Sequence, residues 1–523
     1  MNPARVEAKV VGSLVVAVSL SMASPEPPSA DVNPVVRVAQ GALVGRTGAG
    51  ISAFKGIPYA APPVGPLRWR EPQPPAGWPG MREAGTVGPI CVQPPAAGDP
   101  GVGPLPMSED CLSLNVWTPE DRNDPLPVMV WIHGGGLIDG SGTAALYDGA
   151  GLARRGVVVV TINYRLGRLG FFAHPALSAE AGGGALVGNY GLADMVASLE
   201  WVRDNIAAFG GDPGNVTVFG ESAGGAAVLR LMIAERARGL FHRAVVQSGL
   251  GRDEGTPVYR ERDGRPSLEA RGIAFAEASG LIDATVDQLR ALPAGALLTP
   301  PPGFYGGDLL VIDGSDGGGL VGEDVEPAFA AGLQAPVPLI IGTNSDEFGG
   351  IRPNDMSPWR EIDAALTGAE RSALYASYGG EDGYRAGVVS DLAFNEPARR
   401  LARLHARAGH PTFLYRFDVV AAAMPGTLSG APHASERPYV FDNLSAVSWP
   451  VGERDQQAAT VMADYWTGFA WSGDPNGGQR PVWPEYRAMP GQLLMFGNDG
   501  PAAAPVPFVE RLDLIEAVYA RIR

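Results

Sequence analysis

The 523-residue sequence is poor in cysteine, histidine and lysine, and its 56 acidic residues outnumber its 40 basic ones. It has two cysteines and six histidines, and neither C-x-x-C nor H-E-x-x-H spacing occurs, so we expect no metal site. Lysine is present only at Lys9 and Lys55, and the formal net charge is −16. A chain this acidic has no general attraction to nucleic acids or anionic membranes, which excludes both as expected partners.

Hydrophobic runs of transmembrane length are also lacking. A shorter apolar run, VVGSLVVAVSLSM, follows Arg5 and Lys9 and leads to small residues around Ala23, as in a secretory signal peptide. We therefore expect a signal peptide at residues 1–23, a flexible spacer at 24–34, and export to the periplasm or the medium. The alternative interpretation of the run is a buried N-terminal helix.

The two cysteines are Cys91 and Cys111. An even count in a chain that we expect to be exported favours a disulfide bond, with two free thiols as the alternative. The segment between them is rich in proline and glycine and contains no aromatic residue. A bridge there would restrain a loop that has few other means of becoming ordered.

What the sequence does contain after residue 34 is an alternation of strand and helix patterns. Residues 35–60 alternate apolar and polar positions between glycine turns, which predicts a small antiparallel meander. Continuous apolar runs typical of buried strands are CLSLNVW, LPVMVWIHGG, GVVVVTINYR, NVTVFG, RAVVQSG, PVPLIIGT, PTFLYRFDV and QLLMFG. Helical patterns between them are NYGLADMVASLEWVRDNIAAF, GAAVLRLMIAERA, EPARRLARLHARAG and DQQAATVMADYWTGFAW. This order predicts an α/β fold with a large, mostly parallel sheet flanked by helices.

Two stretches, 250–335 and 350–395, show less regular patterns. We expect them to be excursions over the sheet that shape a substrate pocket. Neither a repeat nor a linker-like change of composition follows residue 34. Residues 35–523 are therefore expected to form one domain.

One serine stands at a strand-to-helix turn among small residues. Gly220-Glu221-Ser222-Ala223-Gly224 matches G-x-S-x-G and joins a strand pattern to a helix pattern. The flanking glycines let strand and helix pass closely, and a strained turn presents the hydroxyl to a ligand. The helix N-terminus supplies N–H groups where negative charge develops. The pattern predicts a nucleophile at Ser222, and a plain N-cap serine is the alternative.

A serine hydroxyl needs a base at neutral pH, and histidine usually supplies it. His433 is the strongest candidate, because it lies in a polar, turn-rich loop after the strand PTFLYRFDV and can reach across the sheet edge from there. The other histidines are predicted to be structural: His405 and His410 at a helix surface or boundary, His242 and His174 in packing or capping, and His133 beside a glycine loop.

A third group must orient the imidazole. The negatively charged oxygen that forms during acyl transfer also needs hydrogen-bond donors. Asp346 and Glu347 both follow the strand PVPLIIGT, and spacing alone does not choose between them. The glycines of HGGG, residues 134–136, follow another strand and leave backbone N–H groups open to a substrate, with the N–H of Ala223 as a further donor. The chain order serine, acid, histidine is that of α/β-hydrolases.

Blocks of sequence along most of the chain resemble, in order, those of bacterial type-B carboxylesterases. These enzymes belong to the α/β-hydrolase family that also contains cholinesterases and lipases. The blocks are FKGIPYAAPPVGPLRWREPQPP, SEDCLSLNVWTP, HGGG, NYGLADMVASLEWVRDNIAAFGGDPGNVTVFGESAGG, VVQSG, GTNSDE, HASERPYVF, GFAWSGDPN and WPEY.

The resemblance implies a serine esterase that acts on small-molecule esters through an acyl-enzyme and needs no cofactor. Carried over residue by residue, it implies Ser222, Glu347 and His433 as the triad, Gly135, Gly136 and Ala223 as oxyanion donors, Glu221 and Ser248 as supporting polar groups, and a Cys91–Cys111 bridge. Hydrolysis of amides or carbamates by the same triad is the alternative activity. A non-catalytic adhesion protein on the same fold is the alternative from another class.

Three positions depart from the family pattern. Phe348 stands where the family usually has glycine after the acidic pair, and Leu137 stands where an aromatic residue is common beside the oxyanion loop. The Cys91–Cys111 loop lacks the tryptophan with which cholinesterases bind a cation, which argues against choline esters. We expect neutral, moderately apolar esters with short to medium acyl chains to be the preferred substrates.

Overall fold

A computed structural model of the protein describes Met1 and residues 33–94, 105–298, 309–314, 319–348, 357–424, 426, 428–487 and 489–522. Nearly all of the predicted signal peptide and of the predicted spacer lies outside this part of the chain, so both stay predictions. In the described ranges, the structure contains no helix with the length and apolar character needed to cross a bilayer.

An eleven-stranded mixed sheet positions everything that follows. The strands of the described chain are β1 Val35–Val38, β2 Gly41–Val44, β3 Arg46–Gly48, β4 Ile51–Pro58, β5 Met81–Glu83, β6 Ile90–Cys91, β7 Met107–Ser108, β8 Ser113–Pro119, β9 Leu126–Ile132, β10 Val158–Ile162, β11 Gly211–Glu221, β12 Arg243–Gln247, β13 Thr256–Pro257, β14 Val311–Ile312, β15 Leu339–Asn344, β16 Thr412–Phe417, β17 Gln492–Gly497 and β18 Gly500–Pro505. The spatial order in the large sheet is β18-β17-β16-β15-β12-β11-β9-β10-β8-β4-β3. Pairings from β10 across to β17 are parallel, and those at both edges are antiparallel.

Helices cover both faces of this sheet. The α-helices of the described chain are α1 Ala150–Ala153, α2 Gly167–Gly170, α3 Pro175–Ala181, α4 Tyr190–Asn205, α5 Ala223–Ile233, α6 Leu268–Ala278, α7 Val286–Arg290, α8 Val325–Ala330, α9 Ser357–Ala365, α10 Gly368–Ser377, α11 Glu381–Ser390, α12 Glu396–Arg407, α13 Arg437–Val440, α14 Glu453–Ser472 and α15 Val509–Ile522. Strand β9 shows why its sequence is apolar throughout. Val128 and Val130 pack into the core on one face, while Met129 and Trp131 pack into the core on the other. The predicted α/β architecture is confirmed.

The predicted N-terminal meander is confirmed with one difference. Strands β1 and β2 pair antiparallel and β5 joins them in parallel, which makes a separate three-stranded sheet. The hairpin of β3 and β4 instead extends the edge of the large sheet by pairing with β8. The alternating pattern identified the hairpins but could not assign them to different sheets, because alternation encodes only which face is buried.

The prediction of less regular structure in 350–395 is wrong for its described part. Residues 357–395 form α9, α10, α11 and a π-helical turn, Asp391–Asn395. These helices and the C-terminal α15 share a third hydrophobic core that includes Phe348, Leu374, Phe394 and Ile515. Their periodicity is faint because each helix buries few side chains; α10 buries only Leu374.

Cys91 and Cys111 form a disulfide in the structure, as predicted. Replacing Cys111 with serine should lower the free energy of unfolding by about 3 kcal/mol, because the bridge restrains the unfolded chain over a sequence separation of 20 residues. Urea unfolding with and without reductant measures the loss. The double Cys91→Ser/Cys111→Ser variant should lose no more than either single variant. Two free thiols in non-reducing peptide maps of native protein would contradict the bridge.

Candidate active site

The turn between β11 and α5 holds Ser222 in a conformation that L-residues rarely adopt. Its φ is 56° and its ψ is −123°, which is a strained backbone region. A Cβ atom at Gly224 would lie 2.1 Å from the carbonyl oxygen of Ile132, and one at Gly220 would lie 2.6 Å from the backbone of Gly224. Glycine at both positions is therefore required for strand and helix to pass this closely, as the sequence indicated.

Three side chains predicted from the sequence meet at this turn. The imidazole Nε2 of His433 lies 2.9 Å from Ser222 Oγ, and Nδ1 lies 2.6 Å from Glu347 Oε2. All three groups are largely removed from water: Ser222 is 7% exposed and Glu347 is 1% exposed. His433 comes from the loop after β16, and its backbone N–H donates to the carbonyl of Glu347. The two loops are thus joined through the main chain as well.

The structure places Glu347, not Asp346, beside the imidazole. The other oxygen of Glu347, Oε1, accepts hydrogen bonds from the Ser248 hydroxyl at 2.6 Å and from the Asn344 N–H at 2.7 Å. Asp346 instead accepts a hydrogen bond from the Ser429 hydroxyl. Ser248 also lies where the sequence predicted, at the end of β12, and it fixes the orientation of the Glu347 carboxylate.

Glu221 places a second carboxyl group next to the same imidazole. Its Oε1 lies 3.3 Å from His433 Nε2 and the residue is 1% exposed. Burial raises the pKa of Glu221 to about 7, against the opposing attraction of His433 and Arg437. Burial alone would lower the pKa of His433, but the charges of Glu221 and Glu347 outweigh it and raise that pKa above its ordinary value.

The glycine-rich loop after β9 approaches the serine from the other side. Gly135 and Gly136 have φ values of 102° and 64°, which favour glycine. A Cβ atom at Gly135 would lie 2.2 Å from the carbonyl oxygen of Asp139. At this position glycine is therefore required by the packing of the loop itself, a reason that the sequence did not reveal. Ala223 is the first residue of α5, so its N–H has no acceptor within the helix.

A small apolar cavity opens at the serine. It is lined by Gly136, Leu137, Ser222, Ala223, Ala226, Leu250, Leu310, Phe348 and Phe394. Two of the three departures from the family pattern noted in the sequence, Leu137 and Phe348, lie on its wall. The phenylalanine that replaces the usual glycine packs against the imidazole, with ring centroids of Phe348 and His433 4.6 Å apart.

Several supporting residues were missed by the sequence analysis. Asn344 donates from its side chain to Glu436 at 2.8 Å, and Gln247 donates to the other oxygen of Glu436 at 3.0 Å. Glu436 is fully buried, and burial together with the nearby Glu347 raises its pKa. Glu436 lies three residues after His433 in a turn rather than a helix, and no sequence pattern distinguished it from an ordinary loop carboxylate.

The remaining histidines are structural, with one error in the prediction. His405 is fully buried, not at a helix surface, and contacts the carbonyl of Val337 at 2.8 Å. His174 caps α3 and His242 accepts from a strand N–H, as expected. His133 stacks on Tyr164 at 4.3 Å and lies beneath the glycine loop. The imidazole bonded to the Ser222 hydroxyl is that of His433.

Comparison with known proteins identifies the family to which the chain belongs. The carboxylesterase family matches residues 32–381 and 384–506. The chain is 38% identical to the fumonisin B1 esterase of Sphingopyxis macrogoltabida, covering 89% of this chain and 86% of that one. It is 35% identical to the para-nitrobenzyl esterase of Bacillus subtilis (89% and 95% covered) and 34% identical to the phenmedipham hydrolase of Pseudarthrobacter oxydans (90% and 96% covered).

Solved structures give the same result. A PNB esterase superposes with a TM-score of 0.79 at 32% identity, covering 92% of this chain and 99% of the other. A thermophilic PNB esterase superposes with a TM-score of 0.80 at 31% identity, covering 92% and 100%. These likenesses confirm the predicted α/β-hydrolase fold. With the family match spanning nearly all of the described sequence, the chain belongs to the carboxylesterase family.

Proposed function

We propose that the protein is a serine carboxylesterase that hydrolyses carboxylic esters through an acyl-enzyme, with Ser222, His433 and Glu347 as its catalytic triad. The observation that carries the proposal is the continuous set of contacts from the Ser222 hydroxyl through the imidazole to a buried carboxylate. Ser222 is one of the residues that line an apolar cavity. A buried acid–base–nucleophile chain of this kind activates a hydroxyl for acyl transfer.

In the first half-reaction Ser222 Oγ attacks the ester carbonyl while His433 Nε2 takes the hydroxyl proton. The carbonyl oxygen becomes negative and accepts hydrogen bonds from the N–H groups of Gly135, Gly136 and Ala223. Removing one donor of this type typically costs about 10²–10³-fold in rate. The imidazolium then donates its proton to the leaving alkoxide oxygen, so the C–O bond breaks and the acyl group stays on Ser222.

In the second half-reaction water takes the place of the alcohol. His433 removes a proton from the water, the hydroxide oxygen attacks the acyl carbon, and the same donors stabilise the second oxyanion. Glu347 stays ionised throughout and orients the imidazole, helped by the hydrogen bonds from Ser248 and Asn344. Collapse returns the proton to Ser222 Oγ and releases the carboxylic acid.

A panel of neutral esters tests the proposal, with the Ser222→Ala variant as the background. Hydrolysis by the natural protein, together with a rate for the variant no higher than that of the uncatalysed reaction, would support the proposal. An ester and its isosteric amide, assayed side by side, decide between esterase and amidase activity, because the same triad performs both. Turnover of the amide alone would replace the proposed activity with the alternative one.

The acidic side of the pH profile should depend on Glu221. Replacing it with glutamine removes a negative charge 3.3 Å from His433 Nε2 and so lowers the pKa of the imidazole. Because the base must be neutral, kcat/KM should persist to lower pH in Glu221→Gln than in the natural protein. Asp346→Asn, which removes a charge that does not contact the imidazole, is the matched control. If the acidic limb of the kcat/KM profile moved to higher pH in Glu221→Gln, the proposed effect of Glu221 on the pKa of His433 would be contradicted.

We also propose that the protein is exported. The predicted signal peptide at residues 1–23 is supported by the Cys91–Cys111 disulfide, since such bonds persist in oxidising compartments. N-terminal sequencing of protein recovered outside the cytoplasm tests this, with a cut near residue 23 as the expected result.

A further inference from the structure

Two phenylalanine rings form a wall that the cavity and the imidazole share. The ring centroids of Phe348 and Phe394 are 5.1 Å apart, and they lie 4.6 Å and 5.0 Å from that of His433. Phe348 is 7% exposed and Phe394 is 2% exposed. The wall is therefore packed on its far side and cannot swing into solvent without unpacking the third core.

This wall leaves little room beside Ser222. The cavity volume beside Ser222 is about 10 Å³, roughly the room of a single water. Among the described residues that line it, every side chain is apolar except that of Ser222. Because the alcohol must leave while the acyl group stays bound until water attacks, the enclosed space suits the acyl chain. A long chain would have to displace one of the two rings.

The backbone that carries Phe394 is itself unusual and heavily anchored. Phe394 lies in the π-helical turn Asp391–Asn395, and such turns are frequent at functional sites. Within the turn, Asn395 donates to Asp391 at 2.8 Å. Asn395 in turn accepts hydrogen bonds from the Thr343 hydroxyl at 2.7 Å and from Arg416 at 3.2 Å. Strands β15 and β16 therefore hold one side of the turn.

The C-terminal helix holds the other side. Arg511, near the start of α15, forms an ion pair with Asp391, the atoms Nε and Oδ2 being 2.7 Å apart. Asp391 is 1% exposed and also accepts a hydrogen bond from the Tyr378 hydroxyl. A buried pair of this kind is costly to break from one side, because the remaining charge is left uncompensated. Helix α15 thus fixes the turn from outside the cavity.

We propose that Phe394 is the residue that limits acyl-chain length, and that the Asp391–Arg511 ion pair holds it in that position. The proposal rests on the ester hydrolysis proposed above. It makes Phe394 a specificity-determining residue and Arg511, which does not line the cavity, a positioning residue that acts through the π-helical turn.

A series of p-nitrophenyl esters with acetyl, butyryl, hexanoyl and octanoyl chains tests the first part. In Phe394→Ala the ratio of kcat/KM for octanoyl over acetyl should rise at least about tenfold, the discrimination that removed bulk typically gives. Absolute rates should fall for every ester, because the ring also packs against His433. Phe394→Leu should give the same change to a smaller extent. Phe329→Ala, which removes an equally buried ring outside the cavity, is the matched control and should leave the ratio unchanged.

Arg511→Gln tests the second part. The octanoyl-to-acetyl ratio should rise in the same direction by about threefold, a typical size for coupling through a packed element. Arg511→Lys should restore most of the natural ratio by keeping the charge. Arg521→Gln is the control on the same helix, since Arg521 pairs with Glu370 instead. Adding Arg511→Gln to Phe394→Ala should change the ratio no further.

An unchanged ratio in folded Phe394→Ala would overturn the proposal. An unchanged ratio in Arg511→Gln would overturn the role of the ion pair. If the natural protein hydrolyses no ester, the proposed function fails, and binding decides the inference separately. Octanoate should then bind more tightly to Ser222→Ala/Phe394→Ala than to Ser222→Ala in calorimetry. Equal binding would refute the proposal that Phe394 limits the length of the acyl chain.

Discussion

Replacing Ser222 or His433 with alanine is expected to lower kcat by about 10⁴- to 10⁶-fold, with the double variant losing little more than either single one. The reason is geometric. Ser222 Oγ and His433 Nε2 are 2.9 Å apart and perform one proton transfer between them, so neither retains its function once the other is removed. Pre-steady-state assays on a p-nitrophenyl ester measure both the burst of alcohol release and the turnover that follows.

Matched variants separate this effect from damage to the fold. Ser178→Ala and His410→Ala remove the same side chains from partly exposed positions outside the site, and both should keep the natural rate. Losses that multiply in the Ser222→Ala/His433→Ala variant would show that the two residues act independently. That result would remove the triad from the proposed mechanism.

The second large effect is expected at Glu347. Glu347→Gln keeps the size of the side chain but replaces the acceptor that lies 2.6 Å from His433 Nδ1 with an amide. The imidazole then loses the partner that selects its tautomer and stabilises its charged form, and kcat should fall by about 10⁴-fold. KM should change little, because the carboxylate does not line the cavity.

Asp346→Asn provides the comparison one residue away. Its carboxylate contacts Ser429 and not the imidazole, so the rate should stay close to that of the natural protein. The reverse ranking of the two variants would assign the acid to Asp346. Thermal unfolding of both variants shows whether any loss arises from instability instead of catalysis.

The sequence predicted the structure best at positions where only one type of side chain can meet the local requirement. Strands such as β9 are apolar at every position because both faces are buried, so eight such runs could be identified as strands from the sequence. The edge strand β18 and the order of the strands in the sheet were not predicted. Ser222 was predictable because glycine stands two positions to either side of it, and the structure gives the clashes that larger residues at Gly220 and Gly224 would cause. His433 was predictable because its loop follows a strand whose carboxyl end faces the same edge.

The carboxylate of the triad could not be identified from residue patterns alone. Asp346 and Glu347 are adjacent carboxylates after the same strand, and only the path of the backbone decides which one turns toward His433. Glu436 and Phe394 are further examples, since a buried carboxylate and a wall phenylalanine look like ordinary members of a loop and a helix. Their roles arise from long-range contacts, with Gln247 in one case and His433 in the other. No local period records such contacts.

The strained backbone at Ser222 has a consequence for how this enzyme can be engineered and trapped. A left-handed φ of 56° at a residue with a side chain costs about 1–3 kcal/mol, and glycine would relieve it. Selection for thermostability alone would therefore favour glycine at position 222 and discard the nucleophile along with the strain. For capturing an ester complex, alanine is the better inactive residue. Alanine keeps the strained backbone conformation of the turn, and with it the positions of the glycine loop and the imidazole. Glycine would let the turn relax, and both could then move.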